Sequence, residues 1–167
     1  MLRRPPCRVD DGAIRFIVAH ESLPMEPDQV TDVVHSNVMF PYGGPTQNGF
    51  AFLFSDEAVA GCKKMAGRET WVAHTPLSDE GRTQVSLLLE HCQFEVPFSE
   101  LQLVEMRRAH KLRPGDIIVR TGSAEHKIGL TGKFARLAGG GPDPDEVQDA
   151  VAQMIEKHAP GKVQFDS

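Results

Sequence analysis

Cysteine is scarce in this chain. Cys7, Cys62 and Cys92 are spread over 167 residues, too few and too scattered for a disulfide framework, and no Cys-x-x-Cys pair offers structural zinc ligands. Long apolar runs are missing too. None approaches the ~18 residues of a membrane-spanning helix, so no membrane span is expected. The seven histidines form no His-x-His, His-x-x-x-His or His-Glu-x-x-His spacing, and the adjacent His91 and Cys92 are poorly placed for joint ligation. Gly139-Gly140-Gly141 runs into Pro142 with no Lys-Ser/Thr behind it, which excludes a phosphate loop. No metal and no cofactor are expected.

What is present is ordinary globular composition, 40% hydrophobic and 25% charged, which excludes disorder throughout and supports a real core. Charge is unevenly placed. The net charge of −5 divides into −4 over residues 1–80, −3 over 81–106, +6 over 107–136 and −4 over 137–167. The basic stretch holds Arg107, Arg108, Lys111, Arg113, Arg120, Lys127, Lys133 and Arg136. It either meets phosphates or an acidic partner, or forms a solvated face whose counter-charges folding supplies. Residues 1–12 read as a tail. Its first eight residues hold three arginines and no acid, similar to the start of a mitochondrial targeting segment, though Pro5 and Pro6 interrupt the helix such a segment uses. Location is expected to be mitochondrial, otherwise cytoplasmic.

Local patterns suggest an order of elements. Residues 13–19 are rich in Ile, Phe and Val and read as a strand. Pro27 opens a short helix over 28–35, with Val30, Val33 and Val34 at helical spacing. A strand over 37–42 carries Pro41 and reads as an edge. Residues 48–54 form the strongest strand. Ser55 then acts as N-cap to a helix through 66, with Val59, Cys62 and Met65 inward and Gly67 as its stop. A strand over 70–74 ends at Pro76. Residues 13–77 therefore predict a β-α-β-β-α-β unit of the ferredoxin-like kind, an α+β fold in which both helices cover one sheet face and the other stays open.

The third strand, Asn48-Gly49-Phe50-Ala51-Phe52-Leu53-Phe54-Ser55, resembles the longer signature of the RNA-recognition motif family in Gly49, Phe50, Ala51, Phe52 and Leu53. Asn48 stands where the family has a basic residue, and Ser55 where it has an aromatic. The first strand, Arg15-Phe16-Ile17-Val18-Ala19-His20, keeps the aromatic of the shorter signature. The resemblance covers 13–75 and implies RNA as partner, with Phe16, Phe50 and Phe52 stacking on bases from the open face. Arg107, Arg108, Lys111 and Arg113 are the expected phosphate contacts. This reading is a non-catalytic RNA-binding or ribonucleoprotein component. A second is a protein–protein assembly subunit of a larger complex with that sheet covered.

A third reading is a phosphoesterase. His20-Glu21-Ser22 fits one His-x-Ser/Thr motif of enzymes that work on RNA ends, but His74-Thr75-Pro76 lacks the hydroxyl, and the expected strands place the two histidines at opposite ends of the sheet. Residues 78–137 read as an extension: an undecided apolar run at 85–92, a short extended piece at 94–98, a helix from Ser99 to about 112, and a β-hairpin over 116–137. In 138–167 a Gly-rich linker precedes a helix over 143–158, whose Val147, Ala150, Val151, Met154 and Ile155 form one apolar stripe. That helix is expected to dock on the helical side of the ferredoxin-like unit or on another protein subunit, leaving the sheet open.

Overall fold

The computed structural model describes residues 24–40, 48–64, 79–110, 113–130 and 143–166. They form strands β1 (Asp32–Phe40), β2 (Asn48–Phe54) and β3 (Ala58–Lys63), helix α1 (Asp79–Leu89), strands β4 (Cys92–Pro97), β5 (Leu101–Arg107), β6 (Asp116–Thr121) and β7 (Glu125–Leu130), helix α2 (Pro144–His158) and strand β8 (Val163–Asp166). All eight strands join one sheet in the order β4-β3-β2-β1-β7-β6-β5-β8. Every pairing is antiparallel except β5 with β8. The chain is α+β. No described helix is long and apolar enough to cross a membrane.

The sheet does not lie flat. β4 stands four places from β7 in that order, which at ~4.8 Å per strand is about 19 Å across a flat sheet. Yet the rings of Phe94 on β4 and His126 on β7 stack with centroids 4.6 Å apart. The sheet must roll until its β4 end meets the β6–β7 hairpin. Inside the roll lie Phe50, Phe52, Phe54, Phe94, Met106, Ile117, Ile128 and Leu130, closed over by Val147, Val151 and Ile155 of α2. The outer side of β2 and β3 carries Ala51, Leu53, Ala60 and Cys62 beneath Val85 and Leu88 of α1, with Met25 and Val30 beside them. With both faces covered, β2 can be apolar from Gly49 through Phe54, as a central strand of a two-layered core is.

Of the two helices expected for the ferredoxin-like unit, the first survives only as a 3-10 turn at Pro27–Gln29 before a strand, and the second is replaced by a strand. Residues 32–35 belong to β1, whose β-branched Val33 and Val34 pair with Leu53 and Phe52. β1 is no edge, because it sits between β2 and β7. After β2, the Ser55 hydroxyl accepts from the Glu57 and Ala58 N–H groups at 3.1 and 3.0 Å. Those are the bonds an N-cap serine makes, used here to close a hairpin turn. In the strand that follows, only glycine fits at 61: a Cβ there would meet the Phe94 ring at 2.4 Å and Phe50 at 2.8 Å. Strands β1, β2 and β3 thus form a three-strand meander where the RNA-recognition resemblance implied helices around 48–54. The strands expected at 13–19 and 70–74 and the tail 1–12 lie outside the described residues.

The helix expected after Ser99 is strand β5. Leu101, Val104 and Met106 all face the core, and the ladder to β6 shifts register between Leu101 and Leu103. One extra residue in a strand turns a spacing of two into three, which imitates a helical stripe. The run at 85–92 resolves as the last part of α1, a turn, and the start of β4. The hairpin forms as β6 and β7, and the last helix forms with the expected cap, the Asp143 carboxylate accepting from the Asp145 N–H at 2.9 Å.

Strands from both the expected 13–77 unit and the expected 78–137 extension share one sheet, joined where β1 pairs with β7 and where β3 pairs with β4. The last helix packs on the aromatic face of that sheet, the opposite of the expected docking. Its Gln148, fully buried, donates to the carbonyl oxygens of Arg107 and Asp116 at 2.8 and 2.9 Å.

Candidate functional site

Phe50 and Phe52, expected on an open face, are 0% and 1% exposed. Their rings meet edge to face at 5.3 Å, in the cluster that α2 closes. No base can reach them without unfolding the core. Phe16 and Lys111 lie outside the described residues.

Four members of the basic stretch, Arg107, Arg108, Arg120 and Lys127, are paired with carboxylates by folding. Arg107 and Arg120 both pair with Glu105, and Arg120 also pairs with Glu125 at 2.8 Å. The Arg107 hydrogen bond, with help from Arg120, holds the Glu105 carboxyl below the usual carboxylate range. Lys127 pairs with Asp116 at 3.4 Å. Arg108 reaches back to α2, bonding Asp149 and the Asp145 carbonyl oxygen. Arg113 is exposed, and its backbone bridges to that of His110. Arg107 and Arg108 are thus already engaged by carboxylates of the fold.

Among the described residues no group of three or more His, Cys, Asp or Glu side chains could hold a metal ion. One cleft of about 440 Å³ opens between the turn after β2, the segment before β1 and β4, lined by Met25, Asp28, Asp56, Glu57 and Glu95 among others. Glu95 there accepts from the Met25 N–H at 3.0 Å. His20 and His74 of the phosphoesterase reading lie outside the described residues.

A different feature stands out at the far end of the sheet. β8 ends the strand order, so one side of its backbone has no neighbouring strand among the described residues. The Val104 N–H donates to the Lys162 carbonyl oxygen at 2.7 Å, in a parallel register pairing Val104 with Val163. In such a ladder alternate residues bond to one side. Lys162, Gln164 and Asp166 therefore turn their backbone groups to β5, and Val163 and Phe165 turn theirs outward. Glu156 of α2 accepts from the Val163 N–H at 3.2 Å and from the Gly161 N–H at 3.0 Å. The Val163 carbonyl and both backbone groups of Phe165 are left facing out. Phe165 is also the exposed large hydrophobic side chain among the described residues, at 45%, with the Arg108 guanidinium 4.5 Å from its ring centre.

No protein-family model matches the chain, and no curated protein matches it. Among solved structures, the hSac2 domain from the human phosphoinositide phosphatase Sac2 is similar at 11% identity and a TM-score of 0.47, over 98% of this chain and 90% of that one. A likeness of that size carries no reaction or ligand to this chain. The expectation of a non-catalytic RNA-binding protein is corrected on the structure itself: the aromatic face it relied on is core. The statement that the chain is no enzyme is withdrawn with it.

Sequence reasoning missed Gln148, Glu156 and Phe165. Gln148 and Glu156 read as the polar side of a helix. Phe165 sits in a short tail whose pairing with β5 has no local signal.

Proposed function

We propose that the protein is a recognition module that takes up an extended segment of a partner protein by strand addition along β8. An end strand with unpaired N–H and C=O groups is a ready template for another chain. The observation that carries the reading is the outward-facing backbone of Phe165 beside its own exposed ring. Main-chain bonds supply affinity in this mode, and a side chain such as Phe165 supplies selectivity. Glu156 limits the open stretch by covering the Val163 N–H, which keeps the edge from pairing along its whole length.

The test is a selection of displayed linear peptides against the full-length protein. Selected peptides are then measured against Phe165→Pro, which removes the outward N–H and leaves the bonds of Gln164 and Asp166 to β5 in place. Affinity is expected to fall at least ~10-fold, about 1.4 kcal/mol for the lost main-chain bond and ring contact. Peptides that bind both forms equally, or a selection that returns none, would overturn the proposal.

A further inference from the structure

Cys62 on β3 and Cys92 at the start of β4 are 30 residues apart in the chain and direct partners across the antiparallel pair. The register shifts between Gly61 and Cys62, and beyond that shift the Lys63 N–H donates to the His91 carbonyl oxygen at 3.1 Å. A bond from the residue after one partner to the residue before the other frames a non-hydrogen-bonded pair. Such pairs hold their Cα atoms ~4.5 Å apart, with side chains on the same side of the sheet. Disulfides span Cα separations of ~4.4–6.8 Å. Both thiols are free, Cys62 buried and Cys92 half-buried. They share one apolar cluster with Ala60, Val85 and Leu88. The hydrogen bond between the two thiols, and burial, push Cys62 up, while the same bond holds Cys92 below its ordinary value.

We propose that Cys62 and Cys92 are a reversible thiol–disulfide pair, oxidised by exchange with a small-molecule disulfide of the glutathione class. The more accessible Cys92 thiolate attacks one sulfur of the oxidised glutathione. A Cys92–glutathione bond forms, the glutathione S–S bond breaks, and one glutathione thiolate leaves and takes a proton. Cys62 then gives up its proton and attacks the Cys92 sulfur, releasing the second glutathione. Two protein thiols become one disulfide, and one oxidised glutathione becomes two reduced ones. The link staples the end of α1 and the start of β4 to β3, and closes the chain from 62 to 92.

The full-length protein, equilibrated in mixtures of reduced and oxidised glutathione, is quenched in acid, alkylated and mapped by mass spectrometry. The expected product is a Cys62–Cys92 linked peptide pair that a reductant reverses. Its formation raises Tm by ~5–10 °C. Cys7→Ser leaves the map unchanged, and Cys62→Ser leaves Cys92 as the mixed disulfide with glutathione. The proposal is overturned if both cysteines are still alkylated in oxidised glutathione, if Cys92 stops at the mixed disulfide in the wild type, or if the link runs through Cys7. The wild-type map decides these points even where a serine variant does not fold.

Discussion

His35 shows what burial does to one side chain in this fold. It stands on β1 opposite Ala51, and neither ring nitrogen has a hydrogen-bond partner among the described residues. Burial first, and the nearby Lys64 second, lower its pKa to about 4. An unfolded imidazole takes up its proton as pH falls through ~6.5, whereas the folded one waits until about 4. The unfolded state therefore binds more protons across that window, and stability falls as pH drops through it. The loss is roughly 3 kcal/mol between pH 7 and pH 4. His126, also lowered by burial, adds in the same direction, so a His35→Leu variant keeps part of the slope. Below the window Glu105 adds a further loss, since its depressed carboxyl stabilises the fold only while ionised. Thermal melts across this range check the account, which fails if His35→Leu retains the full wild-type slope.

Among the elements, those with strong local signals are the ones legible in the sequence. The last helix carries its Asp143 cap, Pro144 at its first turn and a regular stripe. The β6–β7 hairpin has β-branched strands around a Gly-containing turn, and β2 is an unbroken apolar run. The elements that were misread are those where one local pattern serves two structures. Ser55 makes N-cap bonds in a hairpin, and the irregular β5 spaces Leu101 and Val104 as a helix would. Pairing with distant strands decides such cases, and that information is not local. The candidate site was illegible for the same reason: Phe165 gains its meaning only from β5, and Gln148 only from two carbonyls at the end of the β5–β6 pair. Gln148→Leu keeps the volume but removes both bonds it donates to those carbonyl oxygens. It is expected to cost about 1–3 kcal/mol in urea unfolding, the net worth of two hydrogen bonds. A change within ~0.5 kcal/mol, the range of an ordinary surface substitution, would mean that α2 is not pinned there.

For the whole molecule, the central point is which aromatics are inside and which are available. One sheet rolls around Phe50, Phe52 and Phe54, α2 closes the roll, and α1 covers the outer side of β2 and β3. Among the described residues β8 ends the strand order and Phe165 is the exposed large hydrophobic side chain, the two features on which the proposed recognition of a partner rests. Arg107 and Arg108, expected to hold phosphates, are instead tied to Glu105 and Asp149. The most direct measurement compares the thermal unfolding of Phe52→Ala with that of Phe165→Ala. Truncating a fully buried phenylalanine costs about 3–5 kcal/mol, a fall in Tm of roughly 6–20 °C for a chain of this size. Truncating the exposed ring on β8 is predicted to move Tm by no more than ~2 °C. A Phe52→Ala protein as stable as the wild type would contradict the account, because it would put that aromatic face back in solvent.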